Sequence, residues 1–559
     1  MVVRGSKLFR EVEDAENWGT SGVGKRRRVM TGGPNIVLAK DFRIIETPHP
    51  YGILPAGNRF LCDENSDASE KNHAISPLTL LSDEGWYAVM EFLDARDLGR
   101  LLQTCRYFYA TGSEPELWRD LVLRKQEGKK VLDVVGPTWK DTYILLQDPS
   151  YASRLPGRRQ TMAVSGTVYS DFYYRLHSCR LFSIPPCWES SETDTVDRVP
   201  FEQMTMKLFE DKYERPNIPV VVEGAAKSWK AFERWQDPSY FKKHVEEKKT
   251  YRATSGAAPL PCHFRWSSYY DYCRSELLEE APLYLFDRAA LSPGSVLWND
   301  YMKDLQRTCP YWDPERNDTS HDLFKLIGEG RRPDHTWLIV GPKRSGSVFH
   351  IDPNATHAWN ATIVGKKRWI FYPPGVTPPG VLPSEDGDHV ALPLSLGEWI
   401  FQFWDEHVRR TKTAPPSERP LECTALPGDI LFVPHGWWHL VVNESDLNIA
   451  ITHNYVSESN LSSVLKFLSE KEDQVSGCRD RPDSIKPERL YTEFVEALKS
   501  HDTDLVEKAL ADPDWSCKAW TTPSRGATVA SGSSELCQSS VLARAMNSED
   551  GTSFSFSFL

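Results

Sequence analysis

Residues 347–369 read SVFHIDPNATHAWNATIVGKKRW, a stretch of strand-like sequence that contains a histidine and an aspartate two positions apart. Side chains two residues apart on a β-strand point to the same face, so His350 and Asp352 can grip one object together. Pro353 ends this strand because proline lacks the amide donor that a strand interior needs. Taken alone, the pair is compatible with a structural ion pair, a turn cap or a metal site, and the surrounding sequence has to distinguish them.

Short apolar segments recur on both sides of this stretch, between residues 201 and 460, and are broken by proline and glycine. They include IPVVVEG, APLYLFD, HTWLIVG, KRWIFYPP, GDILFVP, HLVVN and NIAITHNYV. Short strands at this density, with few long helices, predict a mostly β domain closed into a sandwich or barrel such as a jelly roll. The 19 Trp, 21 Tyr and 24 Phe of the chain suit large β-rich packing.

A second histidine signal lies in LPGDILFVPHGWWHLVVN, residues 426–443. His435 and His439 are four residues apart, but Gly436 stands where zinc proteases have their general-base glutamate, and the segment does not have a helical pattern. The His350/Asp352 pair lacks a third metal ligand, and a histidine late in the β domain can supply it. With His439, the set becomes the two histidines and one carboxylate of non-haem Fe(II) oxygenases, which leave positions open for a cosubstrate and O₂.

Lys367 begins the strand-like segment KRWIFYPP and, by alternation, shares a face with Trp369 and Phe371. A lysine on an aromatic face suits a desolvated carboxylate partner, such as the far carboxylate of 2-oxoglutarate. Small polar groups that can accompany it are Thr452 and Asn454, which share one strand face, and Asn360. Each of these residues also has an ordinary explanation as a satisfied polar group.

The segment from about 78 to 125 has helical periodicity and predicts three short amphipathic helices. Ser113 is the expected N-cap of the third helix, with Glu116 as its capping-box partner. The segment resembles an F-box, the module that docks onto the Skp adaptor of a cullin-type ubiquitin ligase. The residues that carry this resemblance are Leu81, Asp83, Glu84, Val89, Phe92, Leu93, the DARDLGRLLQTCR segment, Leu117 and Trp118, with Ser82 in place of the usual proline. An ordinary three-helix packing module is the alternative.

The remaining segments complete the predicted organisation. Residues 1–74 are polar and predicted to be disordered, and Lys25–Arg28 within them fit either a nuclear localisation patch or a solvated tail. The F-box covers 75–125, a connector that packs on the catalytic domain covers 126–200, and the β domain covers 201–460. A helical tail is expected over 461–512, and the Ser-, Gly- and Thr-rich residues 513–559 are predicted to be disordered.

Composition excludes several classes of protein. The net charge of -12 argues against a nucleic-acid-binding surface over the whole protein. The N-terminal sequence lacks the apolar core and cleavage site of a signal peptide, and no run approaches 18 apolar residues, so no membrane association is expected. Eleven cysteines without a CxxC pair fit reduced, intracellular thiols.

Three segments together, GPKRSGSVFHIDPNATHAWNATIVGKKRW, VPHGWWHLVVN and NIAITHNY, resemble a Jumonji C (JmjC) domain. They are most similar to the arginine demethylase and lysyl hydroxylase branch of that family, over about residues 200–460. An F-box and a JmjC domain in one chain resemble its fungal and plant members. The resemblance implies a double-stranded β-helix, that is, a jelly-roll or cupin-like fold.

The resemblance also implies roles for individual residues. His350, Asp352 and His439 would be the catalytic Fe(II) ligands, and Lys367 would pair with the distal carboxylate of 2-oxoglutarate. Thr452, Asn360, Asn454 and Ser347 would line the cosubstrate pocket, and Tyr284 would reach the cosubstrate or the substrate mouth. His435 stands where the family commonly has glycine and is expected at the rim of the site.

The implied function is that of an Fe(II)- and 2-oxoglutarate-dependent dioxygenase that uses O₂ to demethylate methyl-arginine or to hydroxylate lysine in proteins. Histone tails and RNA-associated proteins are the expected substrates, and the nucleus is the expected location, with the cytoplasm as a second one. Two alternatives stay open. One is an F-box substrate adaptor of an SCF-type ubiquitin ligase that uses its barrel for recognition; the other is a tRNA-nucleoside hydroxylase, which the acidic composition disfavours.

Overall fold

The computed structural model describes residues 47–57, 81–155, 168–184, 188, 191–244, 249–256, 258–275, 277–308, 322–384, 389–478 and 481–511. The predictions for Lys25–Arg28 and for residues 513–559 lie outside these ranges. Within the described chain, no helix combines the length and the apolar character that crossing a membrane requires.

The described chain has short strands throughout, most of them between residues 197 and 455. The strands are β1 (Ile53–Leu54), β2 (Val131–Leu132), β3 (Val168–Tyr169), β4 (Asp197–Pro200), β5 (Val220–Glu223), β6 (Tyr251–Thr254), β7 (Cys262–Phe264), β8 (Tyr284–Asp287), β9 (Thr336–Gly341), β10 (Gly346–His350), β11 (His357–Val364), β12 (Lys367–Tyr372), β13 (Leu382–Pro383), β14 (Val390–Ala391), β15 (Leu421–Ala425), β16 (Ile430–Val433), β17 (Trp438–Asn443) and β18 (Asn448–Tyr455).

Helices flank the strands at both ends of the described chain and in several connections. They are Asp83–Glu91, Ala95–Leu101, Arg106–Thr111, Pro115–Lys125, Trp139–Gln147, Asp171–Arg180, Met206–Phe209, Lys230–Arg234, Pro238–His244, Trp266–Arg274, Val296–Thr308, Leu396–Thr413, Leu461–Glu470, Pro487–His501 and Thr503–Leu510.

Two sheets form the β domain. The larger sheet has ten strands in the order β2-β7-β6-β8-β9-β18-β11-β16-β5-β4, and the smaller has four in the order β10-β17-β12-β15. Strands adjacent in the sheets are far apart in sequence, as in β10 with β17 and β9 with β18, which is the pattern of a jelly roll rather than a meander. The predicted cupin-like jelly-roll class is confirmed.

Apolar side chains from both sheets meet between them. Ala358, Leu431 and Val433 of the larger sheet form one buried cluster with Trp369 and Val441 of the smaller sheet. Alternate residues of these strands are therefore directed inward, as the period of two in the sequence predicts. This packed seam continues into the cavity that holds the candidate site.

The N-terminal helical module, residues 81–125, differs from the prediction in two details. It has four helices rather than three, because the predicted second helix ends at Leu101 and a further short helix begins at Arg106. The predicted capping box is wrong: the last helix starts at Pro115, and Glu114 occupies the N-cap position without a side-chain cap. Glu116 is engaged elsewhere, since its carboxylate accepts hydrogen bonds from Arg180 and from the backbone N–H of Glu280.

This module shares its core with the β domain. Leu121 and Val122 of helix Pro115–Lys125 belong to the same buried cluster as Leu285, Val340 and Ile449 of the ten-stranded sheet. The short amphipathic helices therefore bury their apolar faces against the β domain. The apolar faces of the helical module and of the ten-stranded sheet are buried against one continuous core.

Part of the segment predicted to be disordered is folded. Within residues 47–57, Ile53 and Leu54 pair with Val168 and Tyr169 as parallel strands β1 and β3, and Ile53 is fully buried. His49 is also buried, and its Nε2 lies 3.6 Å from a carboxylate oxygen of Glu114. Strand β1 was not predicted because its two residues lie in a mostly polar segment and are too few to give a recognisable strand pattern.

Helices at the C-terminal side form a second core beside the barrel. Leu465 of helix Leu461–Glu470 and Phe494 and Leu498 of helix Pro487–His501 pack with Phe324 and Ile327 in this cluster. Helical sequence in the region was expected from its 3.6-residue periodicity.

Candidate active site

Strands β10 and β17 bring the two predicted imidazoles side by side. His350 is the direct partner of His439 in the antiparallel pair, although the two are 89 positions apart in the sequence. Their ring centroids are 4.1 Å apart. Asp352 follows β10 and precedes the turn Pro353–Ala355, and its carboxylate lies beside the two imidazoles.

The three side chains form the one cluster of possible metal-ligating groups found in the described chain. One ligand atom from each of His350, Asp352 and His439 lies within 4.8 Å of the other two. The distance from His439 Nε2 to Asp352 Oδ1 is 3.8 Å. Both histidines are buried, with 7% and 3% of their surface exposed, so the cluster is shielded from bulk water.

Backbone carbonyls fix the tautomer of both imidazoles. His350 Nδ1 donates to Val348 O at 2.8 Å, and His439 Nδ1 donates to Trp437 O at 3.1 Å. A carbonyl can only accept, so Nδ1 carries the proton and Nε2 keeps its lone pair, the arrangement typical of metal-binding histidines.

Burial shifts the pKa of each group in the cluster. It lowers the pKa of His350 to about 3, helped by the neighbouring His439, and lowers the pKa of His439 to about 4. Burial raises the pKa of Asp352 to about 6, against the opposing effects of His350 and of a hydrogen bond with Asn454. At pH 7 the cluster therefore presents two neutral imidazoles and one carboxylate.

Lys367 lies in the same cavity and is 1% exposed. Its Nζ donates to Tyr284 Oη at 2.9 Å, and burial lowers the pKa of the ammonium to about 7. The described chain offers it no carboxylate within ion-pair distance, which is an unusual state for a buried lysine. The Tyr284 ring packs closely against Gly341, where an added Cβ would come within 2.5 Å of a ring carbon.

Small polar groups face the same space from the ten-stranded sheet. The Thr452 hydroxyl donates to Trp359 O at 3.1 Å, and Asn454 Nδ2 donates to Thr356 Oγ1 at 2.9 Å. The Asn360 Oδ1 is buried and has no hydrogen-bond partner among the described residues. Buried amide oxygens are rarely left unpaired, so this group points to a ligand or solvent in the cavity.

The nine residues predicted as metal ligands or as cosubstrate contacts all line this one cavity. They are Tyr284, Ser347, His350, Asp352, Asn360, Lys367, His439, Thr452 and Asn454. The sequence reasoning missed most of the apolar lining, namely Phe286, Trp337, Ile339, Ala358, Val433 and Val441, which completes the wall together with Trp369. Alternation in HTWLIVG places Trp337 and Ile339 on one face, and this was the available signal.

His435 is not among the residues that line the cavity. Its backbone N–H donates to His357 Nδ1 at 3.1 Å, and its Nε2 lies 3.2 Å from Ser463 Oγ of the C-terminal helices. The side chain thus ties the β16–β17 turn to the second core.

The donor set fits a divalent transition metal with an anionic cosubstrate. Two neutral imidazoles and a carboxylate on one side of a site match the facial arrangement of Fe(II) in non-haem oxygenases. A buried lysine without an acidic partner and an unpaired amide fit a small molecule that carries a carboxylate. Apolar walls between these two regions limit the access of water.

Two known domain families match separate stretches of the chain. A cupin-like domain family matches residues 278–461, and an F-box-like family matches residues 83–124. The first range contains all nine predicted site residues, and the second lies within the N-terminal helical module.

Individual relatives extend this similarity. The arginine-specific demethylase JMJ22 of Arabidopsis thaliana is 34% identical over 459 residues, which are 82% of this chain and 82% of the relative. The bifunctional arginine demethylase and lysyl-hydroxylase psr-1 of Caenorhabditis briggsae is 34% identical over 271 residues, 48% of this chain and 63% of the relative. The 2-oxoglutarate and iron-dependent oxygenase JMJD4 of Danio rerio is 29% identical over 186 residues, 31% of this chain and 39% of the relative.

The fold and these matches define a cupin-like protein that carries an F-box-like module. More particularly, the chain belongs to the JmjC family, whose members are 2-oxoglutarate- and iron-dependent oxygenases and include arginine demethylases and a lysyl-hydroxylase.

Proposed function

We propose that the protein is an Fe(II)- and 2-oxoglutarate-dependent dioxygenase that acts on methyl-arginine or lysine side chains of proteins. The observation that carries this proposal is the convergence of His350, Asp352 and His439 beside a buried Lys367 that has no acidic partner in the described chain. A domain that only recognises partners has no need for such a costly buried cation.

His350, Asp352 and His439 would hold the metal, and both imidazoles are already oriented by their Nδ1–H···O=C bonds. When bound, Fe(II) supplies the activation of O₂ that is coupled to oxidative decarboxylation of 2-oxoglutarate to succinate and CO₂. The low pKa values of the two histidines keep Nε2 free of protons over the whole neutral range. The protein therefore does not have to deprotonate its imidazole ligands at the moment of metal binding.

Lys367 and Tyr284 would hold the distal carboxylate of 2-oxoglutarate through an ammonium and a hydroxyl donor. Ser347, Thr452 and Asn360 would offer further hydroxyl and amide groups to the same molecule. Trp369, Val433 and Val441 would keep water away from the reacting centre, which prevents unproductive use of the oxidant.

The carbon presented to the site determines the product. Hydroxylation of an N-methyl carbon gives a hemiaminal that releases formaldehyde and leaves a demethylated nitrogen. Hydroxylation of a lysine side-chain carbon gives a stable alcohol. Relatives named as an arginine demethylase and as a bifunctional arginine demethylase and lysyl-hydroxylase support both types of reaction. Histone tails or RNA-associated proteins are the substrates that we propose.

The test is succinate formation by the purified protein with Fe(II), ascorbate, 2-oxoglutarate and pooled methyl-arginine and lysine peptides. Mass spectrometry of the peptides distinguishes a gain of about 16 mass units, a stable hydroxylation, from a loss of about 14, a demethylation. We expect turnover in the wild type and none in His350→Ala. His389→Ala changes an exposed histidine and should retain full activity. Turnover that survives in His350→Ala would contradict the proposal.

The F-box-like module supports a second proposal, that the protein also binds a Skp-type adaptor. Phe92 is 79% exposed, and Leu81 and Val89 are about half exposed, at 43% and 40%. Exposed apolar side chains grouped near one helix are characteristic of an interaction surface. We expect Phe92→Asp to abolish co-purification with a Skp adaptor while succinate formation stays unchanged; retained binding would contradict this assignment.

The nucleus remains the proposed location, on the strength of Lys25–Arg28. Replacing these four residues by alanine in a fluorescently tagged protein should shift it to the cytoplasm. A tRNA-nucleoside substrate is the less favoured alternative, because a net charge of -12 does not suit binding to a polyanion.

A further inference from the structure

The loop that leads into strand β8 is held by side chains of the N-terminal helical module. Glu279 and Glu280 lie in this loop, and both are largely buried. Arg119 of helix Pro115–Lys125 is 1% exposed, and its Nη1 lies 3.3 Å from Glu279 Oε1. One residue further on, the backbone N–H of Glu280 donates to Glu116 Oε1 at 2.9 Å.

Tyr272 links Glu279 to the residue that precedes strand β8. Its hydroxyl donates to Glu279 Oε2 and accepts from the backbone N–H of Leu283 at 2.8 Å. All three groups are buried, and a buried hydrogen-bonded chain of this kind fixes its members more firmly than exposed pairs do.

The position of Tyr284 depends on this contact because Tyr284 is the first residue of β8. Pairing of β8 with β9 starts only one residue later, at Leu285, so the ladder on that side does not fix the strand entrance. On the other side, Tyr284 pairs with Thr254 of β6, and Leu283 O accepts from Tyr269 Oη at 3.1 Å. The hydrogen bond from Leu283 N–H to Tyr272 is thus one of three contacts that fix where the chain enters the sheet, and it is the one that leads to Glu279. Tyr284 Oη in turn accepts a hydrogen bond from Lys367 Nζ at 2.9 Å.

We propose that Arg119 and Glu279 are positioning residues for 2-oxoglutarate, acting through Tyr272 on Tyr284. The F-box-like module is then part of the machinery that shapes the cosubstrate pocket as well as a docking element. This inference rests on the proposed function, since it concerns the cosubstrate of the same site.

The arrangement of the two sheets separates this effect from a general loss of structure. Tyr284 belongs to the ten-stranded sheet, whereas His350 and His439 belong to the four-stranded sheet. A displaced β8 entrance should weaken binding of 2-oxoglutarate and leave the affinity for Fe(II) unchanged. A variant that only loosens the fold should weaken both.

The deciding variant is Tyr272→Phe, which keeps the ring and removes the bridging hydroxyl. Binding of Fe(II), and then of 2-oxoglutarate to the Fe(II)-loaded protein, is measured by calorimetry under nitrogen. We expect the Kd of 2-oxoglutarate to rise about 3- to 10-fold, the equivalent of one neutral hydrogen bond, and the Kd of Fe(II) to stay the same. The kcat at saturating 2-oxoglutarate should change by less than about 2-fold, because the reacting atoms are not touched.

Tyr240→Phe is the matched control, since its hydroxyl also donates to a buried carboxylate, Asp300, at 2.7 Å. It should leave both affinities unchanged. Glu279→Leu should reproduce the effect of Tyr272→Phe, and Glu279→Gln, which retains an acceptor oxygen, should restore most of the affinity. The rescue pair tests the role of Glu279 independently of the ring.

The possible results distinguish a failure of the proposed oxygenase function from a failure of the positioning role. A wild-type protein that binds no 2-oxoglutarate would refute the proposed function and this inference with it. A wild type that binds normally, beside a folded Tyr272→Phe with unchanged affinity, would refute the positioning role alone. Equal losses of Fe(II) and 2-oxoglutarate affinity would likewise overturn it, in favour of a purely structural role.

Discussion

Lys367 is almost completely removed from solvent, and its ammonium contacts the Tyr284 hydroxyl instead of a carboxylate. Burial lowers its pKa from 10.5 to about 7. A lysine with a lowered pKa in the folded state costs stability at low pH, because the unfolded chain binds the proton more tightly. This cost is fully present below about pH 7 and disappears as the pH rises towards 10.5.

Replacing Lys367 by methionine should therefore separate function from stability. The apolar side chain fits a buried site without the desolvation cost, so we expect Lys367→Met to raise the free energy of unfolding at pH 7. It should also weaken 2-oxoglutarate binding by about 100-fold or more, since a charge-assisted contact is lost. Urea unfolding and calorimetry check the two effects. A variant that binds the cosubstrate normally would show that Lys367 has another role.

Binding of 2-oxoglutarate should also be linked to proton uptake. An anion beside Lys367 favours its charged form and raises its pKa, so at pH 8 a mostly neutral amine becomes an ammonium. We expect uptake of roughly one proton per 2-oxoglutarate, measured as the dependence of calorimetric enthalpy on the ionisation enthalpy of the buffer. At pH 6, where the amine is already protonated, the uptake should vanish. Equal uptake at both pH values would contradict the assignment to Lys367.

At the residue scale, the sequence predicted what alternation along a single strand can reveal. Alternation put Lys367 on an aromatic face and Thr452 and Asn454 on one shared face, and all three side chains line the cavity. Phe286 and Trp337 were missed because alternation can place residues on one face of β8 or β9 but cannot tell that this face lines the cavity, which depends on the order of strands in the sheet. That order is a non-local property, which periodicity within one segment does not carry.

At the scale of elements, the pairing of β10 with β17 brings the two histidines together, and this pairing depends on Gly346. Its φ of 154° and a distance of 1.9 Å from an added Cβ to Val441 O leave no room for a side chain. We expect Gly346→Ala to lower the free energy of unfolding by about 2 kcal/mol or more and to weaken Fe(II) binding. Chemical denaturation and metal titration measure these effects.

Gly99→Ala provides the control for the same chemical change. Gly99 lies within helix Ala95–Leu101, and an added Cβ there meets no atom within 4 Å. Alanine favours a helix over glycine, so this variant should be more stable by about 0.5–1 kcal/mol. If both variants have the stability of the wild type, the close approach at Gly346 does not constrain the strand pair.

The N-terminal helices show where local sequence signals are overridden by tertiary contacts. Ser113 and Glu116 match a capping box, yet Ser113 donates to Tyr109 O and Glu116 accepts from Arg180. A capping box is worth about 1 kcal/mol at an exposed helix end. Without Glu114 and Glu116, Arg180 would be a buried charge with no partner. That costs more free energy than a lost capping box, so Glu116 binds Arg180 instead of capping the helix.

At the scale of the molecule, the continuous core predicts one cooperative unit instead of an oxygenase with an attached F-box. Val122 is fully buried in the N-terminal helical module, in the same cluster as residues of the ten-stranded sheet. We expect Val122→Ala to lower stability by about 1–3 kcal/mol. Release of 2-oxoglutarate and loss of far-ultraviolet circular dichroism should shift to lower denaturant together, in a single transition.

Leu510→Ala is the control, because Leu510 is 38% exposed in the last described helix and its truncation should change stability by less than about 0.5 kcal/mol. Two separate unfolding transitions would contradict this expectation if Val122→Ala shifts only the transition that does not release 2-oxoglutarate. The helical module would then unfold independently of the barrel. A shared transition has a functional consequence, since any partner that binds only the folded helical module must then stabilise the oxygenase site as well.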